Sequence, residues 1–159
     1  MPIDTSDTQI WMAAAGGGDG VIRVSLDGTV GGGTAGYDIV TMLAGHPQLQ
    51  HPVDVILDTV HDRFFVVDSD GTFDTLLQGS ISAAVAGGNP PLTVLYAQTA
   101  VPDGEGITGV ALDAENGVVY FTERNLVQKV SYDVAGQTPV TLADLGFDCL
   151  LYTSPSPRD

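Results

Sequence analysis

The stretch Arg63-Phe-Phe-Val-Val-Asp68 recurs in similar form later in the chain, as Val118-Val-Tyr-Phe-Thr-Glu123. Each copy follows a short apolar segment, at residues 53–58 and 109–113, and the copies lie about 55 positions apart. A partial copy, Gln9-Ile-Trp-Met-Ala13, stands at nearly the same interval upstream. Repeats of about this length, with loop insertions, indicate solenoids, propellers or arrays. The recurrence therefore informs on architecture more than on function.

Each repeat divides into short runs rich in aromatic and β-branched residues, which favour strands. The second repeat has four such runs, at residues 53–58, 63–68, 77–85 and 92–96. The third has runs at residues 107–113, 118–123, 126–132 and 140–142, with a strong hairpin signal at Asn116-Gly117. The first repeat lacks a clear opening strand. No segment shows a long apolar period of 3.6 residues, so little helix is expected.

Tandem four-stranded units are typical of propeller blades. We therefore predict an all-β fold, a partial β-propeller of about two and a half to three four-stranded antiparallel blades. The blades should cover approximately residues 8–45, 50–98 and 104–146. Because a blade buries its faces against its neighbours, a partial propeller should expose apolar surface and be marginally stable.

These repeats resemble the YWTD and NHL class of β-propeller repeats. Val119-Tyr-Phe-Thr-Glu123 is close to the Tyr-Trp-Thr-Asp phrase, with Phe for Trp and Glu for Asp. The chain is also similar to repeats of very large secreted or surface proteins of bacteria, in which phrases like Asp68-Ser-Asp-Gly71 recur. The resemblance implies a propeller located outside the cell or on the cell surface of a bacterium. No secretion signal is visible in the sequence.

The stretch Cys149-Leu-Leu-Tyr-Thr-Ser-Pro-Ser-Pro-Arg-Asp159 breaks every earlier pattern. It matches a translated sequencing-adapter read-through, a kind of scar that is set aside before fold reasoning. We expect residues 149–159 to be a non-native tail and residues 1–148 to be an incomplete propeller from environmental sequence data. Setting the tail aside removes the only cysteine, so no thiol or disulfide chemistry is expected.

The charge balance is strongly acidic, with 20 Asp and Glu against 5 Lys and Arg and a net charge of −15. A field of this sign repels phosphate, which argues against nucleic-acid and anionic-membrane binding. It attracts divalent cations. No apolar run approaches the ~20 residues that span a bilayer, so no membrane insertion is expected.

The segment Asp68-Ser-Asp-Gly-Thr-Phe-Asp74 is the best metal candidate, because Ca²⁺ prefers oxygen ligands and short acidic loops with Gly supply several. Asp68, Asp70 and Asp74 would be the ligands. Their spacing is not that of an EF-hand loop, and a solvated hairpin loop is the alternative. No other cofactor is expected.

Other polar candidates have plainer interpretations. Asp58, Asp113, Asp68 and Glu123 end strands, where we expect them to accept backbone hydrogen bonds in the following turn and not to act as an acid–base pair. The glycine-rich residues 16–20 precede a predicted strand, whereas a dinucleotide fingerprint needs a helix there.

The histidines and aromatic residues also have a structural interpretation. We expect His46, His51 and His61 to be solvent-exposed turn residues. Trp11, Phe65, Tyr120 and Phe121 recur at one strand position and should pack between adjacent blades, the alternative being stacking on a sugar ligand. No Gly-x-Ser-x-Gly motif or serine triad is present, and no catalytic residue is assigned.

The sequence thus predicts a non-enzymatic binding or scaffolding module of a larger secreted or cell-surface bacterial protein. Its partners would be an unknown protein or carbohydrate ligand and the remaining blades of the propeller. The alternative is a fragment of a metal-dependent propeller hydrolase of the lactonase or gluconolactonase-like type. Such enzymes hold a divalent cation in the central channel, to which Glu123 or Asn125 would contribute.

Overall fold

The structure, a computed structural model, describes residues 3–4, 9–15, 20–25, 38–70, 73–87, 89–99 and 106–145. The predicted non-native tail at residues 149–159 lies outside the described residues, as do the glycines at residues 16–19.

The described chain folds into three four-stranded antiparallel sheets, here called blades 1, 2 and 3. Within each blade the strands pair in chain order, so every connection joins neighbouring strands. Blade 1 contains β1 (Ile3–Asp4), β2 (Gln9–Ala14), β3 (Gly20–Ser25) and β4 (Asp38–Met42). Blade 2 contains β5 (Pro52–Asp58), β6 (Arg63–Ser69), β7 (Phe73–Ser80) and β8 (Thr93–Thr99). Blade 3 contains β9 (Ile107–Asp113), β10 (Val118–Glu123), β11 (Leu126–Ser131) and β12 (Val140–Asp144).

The hairpins between the first two strands of blades 2 and 3 show why the repeat folds twice in the same way. Both turns need a residue in the left-handed region, which Asp62 (φ +55°) and Gly117 (φ +67°) supply at corresponding positions. Asp and Gly tolerate this conformation better than most residues. The predicted Asn116-Gly117 hairpin is therefore confirmed.

Two local predictions were wrong. The predicted third strand of blade 2 stops at Ser80, and Ile81–Val85 form a single helical turn, α1. Ser80 caps this turn by accepting a hydrogen bond from the Ala83 N–H, at 3.1 Å, a cap that ends the strand and starts the helix. Blade 1 does have an opening strand, the two-residue β1, which pairs with β2 through Ile3 and Ile10.

The core lies between blades and not within a blade. Strand β6 is buried on both faces, and its residues alternate between two apolar clusters. Phe64 and Val66 pack against blade 1, whereas Phe65 and Val67 pack against blade 3. Each fully buried Phe of this kind contributes about 2–3 kcal/mol by removal from water. Blade 2 is held by the clusters on either side of it.

Polar contacts add to the junction of blades 2 and 3. The Val110 N–H donates to Asp54 Oδ2 at 3.1 Å, joining β9 to β5. The Arg63 guanidinium lies 4.7 Å from the centre of the Tyr132 ring and donates to Asp133 at 3.0 Å. These contacts set the stacking of one blade on the next.

Three stacked four-stranded antiparallel sheets make the molecule an all-β partial β-propeller, as predicted. In the part of the chain that the structure describes, no helix is long and apolar enough to cross a bilayer.

Candidate functional site

The end of blade 2 that carries the β6–β7 hairpin collects the acidic residues of the predicted calcium segment. Asp68 is the last residue but one of β6, and its side chain is fully buried. Its two oxygens accept hydrogen bonds from the backbone N–H groups of Gln50 at 2.5 Å and His51 at 2.6 Å. Burial raises the pKa of the Asp68 carboxyl, and these two hydrogen bonds oppose the increase. Through these two hydrogen bonds, Asp68 holds the segment that connects blade 1 to blade 2 against strand β6.

Asp70 and Asp74 lie in different surroundings from Asp68 and from each other. Asp70 is exposed in the hairpin loop, where its Oδ1 accepts a hydrogen bond from the Phe73 N–H at 3.0 Å. Asp74 belongs to β7 and is fully buried, and neither of its carboxylate oxygens has a hydrogen-bond partner among the described residues.

Strand register separates the two buried carboxylates. Asp68 lies opposite Thr75, and Asp74 lies opposite Ser69. Opposed residues share a face and successive residues alternate, so Asp68 and Asp74 lie on opposite faces of blade 2. Within the described ranges no three His, Cys, Asp or Glu side chains come together as a metal site. Calcium binding by Asp68, Asp70 and Asp74 stays a prediction.

Across the interface from Asp74, blade 3 presents Glu123. Its carboxylate oxygens lie 3.0 and 3.2 Å from the Tyr96 hydroxyl of β8, which also lies 2.6 Å from Gln98 Oε1. Burial chiefly raises the pKa of Glu123. The charge of Asp74 adds to the increase, whereas the Tyr96 hydrogen bond and Arg124 oppose it. Burial and the same carboxylates raise the pKa of Tyr96. The site thus combines two carboxylates with one nearby cation, Arg124.

A surface groove of about 290 Å³ gives access to this cluster. Its lining includes the polar side chains of Tyr96, Gln98, Glu123, Arg124, Gln128 and Thr141. The two acids are therefore buried, whereas Tyr96 and Gln98 are partly exposed at the groove.

The remaining strand-end carboxylates divide into two groups. Asp58 accepts from the His61 N–H at 3.2 Å, and Asp113 accepts from the Asn116 N–H at 3.1 Å, which confirms the predicted turn role for both. Asp68 accepts backbone hydrogen bonds as predicted, but not from the following turn, and for Glu123 the prediction was wrong. Asp68 binds the preceding link and Glu123 binds a side chain of another blade.

The histidines also divide. His51 and His61 are exposed, as predicted, and His61 Nδ1 lies 2.8 Å from Asp58. His46 is buried, contrary to prediction. Its Nδ1 accepts from the Gln48 N–H at 3.1 Å, and its Nε2 lies 3.0 Å from the Pro90 carbonyl oxygen, so it joins the blade 1–blade 2 link to the loop before β8.

Three of the four predicted interblade aromatic residues lie between blades. Trp11 packs 6.0 Å from Phe64, Phe65 packs 5.3 Å from Tyr132, and Phe121 stacks 5.2 Å from Tyr96. Tyr120 is partly exposed, because its face of β10 points away from blade 2. Phe121, at the next position, points the other way.

Sequence reasoning missed Tyr96, Gln98 and the link residue Gly106. A Cβ at Gly106 would collide with both Ser69 and Asp74, so glycine lets the link pass over the buried carboxylate. The alternation Tyr96-x-Gln98 places both side chains on one face of β8 and was readable from the sequence. Their contact with Glu123 of the next blade could not be predicted from the sequence.

Comparison with known proteins shows the fold. No protein-family model matches the chain, and no curated protein matches it. It is similar to a chain in the crystal structure of the nidogen/laminin complex, with a TM-score of 0.60 and 19% sequence identity. The match covers 89% of this chain and 46% of that chain, so the present chain spans about half the length of its structural neighbour. The likeness shows a β-propeller fold.

Proposed function

We propose that this chain is part of a non-enzymatic propeller, a binding or scaffolding module of a larger secreted or cell-surface bacterial protein. Further blades of the same propeller cover the exposed face of blade 3. The ligand is a protein or a carbohydrate, bound at loops on the ends of the blades.

The observation that carries the proposal is the different exposure of three corresponding aromatic residues. Trp11, Phe65 and Tyr120 lie about 55 positions apart. Blade 2 covers Trp11, which is 1% exposed, and blade 3 covers Phe65, which is 0% exposed. Tyr120 occupies the same position on blade 3 but is partly exposed, in a groove of about 330 Å³ whose lining also includes Ala111, Val127 and, from blade 2, Asp54. The repeat position that is covered on blades 1 and 2 is therefore uncovered on blade 3.

Charge and structural likeness support a binding role. The net charge of −15 favours basic protein surfaces and neutral sugars as ligands over phosphate-bearing ones. The similar chain comes from a structure of a protein–protein complex, which supports a protein ligand.

The test uses the longer protein encoded by the gene together with its flanking sequence. Tyrosine nitration followed by mass spectrometry compares Tyr120 in that protein and in the 159-residue chain. We expect nitration of Tyr120 in the short chain and protection in the long one. Equal nitration in both proteins would contradict a covering blade.

Function is tested on the same long protein with a glycan array and with purified basic extracellular proteins. The expected result is saturable binding to one of these probes. A lactone hydrolysis assay with added calcium or zinc tests the hydrolase alternative. Saturable lactone turnover would contradict the proposed non-enzymatic role.

A further inference from the structure

The blade 2–blade 3 interface contains a buried negative charge that nothing in the described structure neutralises directly. Asp74 is 0% exposed, and both its carboxylate oxygens lack a hydrogen-bond partner among the described residues. A buried carboxylate without a partner is strongly destabilising, so such groups are nearly always paired or bound to a metal. The position of Asp74 therefore requires an explanation.

Other oxygen atoms face the same region. Asp74 lies opposite Ser69 on one side and opposite Gln98 on the other, so the three side chains share the face of blade 2 that points to blade 3. Tyr96 lies two residues before Gln98 on that face and contacts the Glu123 carboxylate. Two acidic groups and three neutral oxygens thus meet at one end of the interface.

No donor of the described residues reaches Asp74, although the Gln98 and Gln128 amides and the Arg124 guanidinium line the neighbouring groove. The Tyr96 hydroxyl has one proton, yet it lies within hydrogen-bond distance of Gln98 Oε1 and of both Glu123 oxygens. Arg124 acts electrostatically on Glu123, but it makes no hydrogen bond to Asp74 and has contacts of its own. Buried carboxylate oxygens without a donor are suitable ligands for a hard cation.

We propose that a divalent cation, best matched by Ca²⁺, binds between blade 2 and blade 3, held by the carboxylates of Asp74 and Glu123 and by the Gln98 side-chain oxygen. The Ser69 and Tyr96 hydroxyls complete the oxygen-rich shell. The cation neutralises the buried carboxylates and joins two blades that are otherwise linked mainly by apolar contacts. This role is independent of whatever ligand the propeller binds.

The ligand chemistry favours calcium over magnesium. Ca²⁺ accepts six to eight oxygens in flexible geometry, whereas Mg²⁺ demands a near-ideal octahedron. Only two carboxylates take part, so the affinity should be that of extracellular calcium modules, with a Kd of about 0.1–1 mM. The groove beside Tyr96, Gln98 and Glu123 gives the ion a path from solvent.

This interblade site differs from the hairpin site predicted from the sequence. Both include Asp74, but the interblade site excludes Asp68, whose oxygens accept two backbone hydrogen bonds, and Asp70, which is exposed in the loop. Asp70→Asn is therefore the matched control. It removes one carboxylate from the hairpin and leaves the interblade oxygens unchanged.

The experiment measures the melting temperature of the 159-residue chain by circular dichroism, in EGTA and in about 5 mM calcium chloride, a concentration chosen from the expected affinity. The parent chain should melt about 3–6 °C higher with calcium. Asp74→Asn and Glu123→Gln should lose this increase and bind calcium at least about tenfold more weakly by calorimetry. Asp70→Asn should keep both.

A matched measurement without calcium separates binding from misfolding. Because each substitution removes a buried charge, both Asp74→Asn and Glu123→Gln should melt at or above the parent temperature in EGTA. The proposal is overturned if the parent does not respond to calcium or if Glu123→Gln responds fully. Loss of the response in Asp70→Asn with retention in Glu123→Gln would place calcium in the hairpin and also overturn it.

Discussion

The two interfaces of blade 2 carry equivalent acidic residues that make different contacts. At the interface with blade 1, Asp68 accepts two backbone hydrogen bonds from the link beneath it. At the interface with blade 3, the corresponding Glu123 contacts a tyrosine hydroxyl and lies in the field of Asp74. Asp68 holds the segment between blades 1 and 2 against β6, whereas Glu123 belongs to an acidic site between blades 2 and 3. One repeat position therefore serves two purposes.

The apolar parts of the two interfaces also differ. Trp11 and Phe64 meet at the first in a cluster of aliphatic and aromatic side chains. At the second interface, Arg63 and Asp133 flank the aromatic pair of Phe65 and Tyr132. Repetition thus preserves the stacking of blades while leaving the polar edge of each interface free to change.

The largest expected effect concerns the covered and uncovered aromatic positions. Trp11→Ala should lower the free energy of unfolding by about 3–5 kcal/mol, because it leaves a cavity in a closed interface. Tyr120→Ala, at the same repeat position on the open face, should cost less than about 1 kcal/mol. Urea denaturation followed by far-UV circular dichroism measures both. Equal losses would mean that Tyr120 is already covered in the short chain.

The second prediction contrasts the equivalent acids. Asp68→Ala should lower the free energy of unfolding by about 2–3 kcal/mol, because it leaves two partly buried backbone N–H groups without their acceptor. Glu123→Gln, measured in EGTA, should be neutral or stabilising by about 1 kcal/mol, because it removes a buried charge. The same denaturation experiment checks both values. If Glu123→Gln destabilised the protein as much as Asp68→Ala, the proposed difference between the two carboxylates would be wrong.

The third prediction tests the polar edge of the second interface. Arg63→Ala should lower the free energy of unfolding by about 1 kcal/mol, through loss of the contact with the Tyr132 ring and of a partly exposed ion pair. Asp133→Asn removes only the ion pair and should cost about 0.5 kcal/mol or less. Unfolding of both variants at low and high salt separates the two contributions. A larger loss in Asp133→Asn than in Arg63→Ala would contradict this assignment.

The smallest effect is expected at the opposite end of blade 2, where Asp62 binds the start of α1. Hydrogen bonds from the Ser80 and Ser82 hydroxyls lower the pKa of the Asp62 carboxyl below 3.8. A lowered folded-state pKa contributes stability above the unfolded pKa, and that stability disappears as the pH falls through the folded value.

The stability difference between the parent and Asp62→Asn should therefore be constant at neutral pH and shrink as the pH falls below about 4. Thermal unfolding at several pH values measures it. The change should be small because Asp62 is exposed. A difference that grew on acidification would show that the hydrogen bonds do not favour the charged form.

Much of the blade architecture was readable from the chain because strands and turns depend on near neighbours. The strands β9 and β10 were predicted at their observed bounds, and the hairpin between them followed from Asn116-Gly117. The helical turn α1 was missed because its apolar residues also suit a strand. The decisive feature there is the Ser80 cap, and the serine binds Asp62 across the hairpin.

The candidate site was only partly predictable. The local density of carboxylates drew attention to Asp74, but strand register places Asp68 on the opposite face, a separation that sequence proximity hides. His46 shows the same limit, because its burial depends on Pro90, which lies far away in the chain.

Sequence alone determined the repeat, the strand period and the acidic character of this protein, since these follow from residue type and spacing along the chain. Tertiary structure alone decided which face of each blade is covered and which carboxylates meet. The reason is that stacking brings together residues from separate blades, such as Asp74, Tyr96 and Glu123. Because these side chains lie close together with little solvent between them, the charge of one raises the pKa of another.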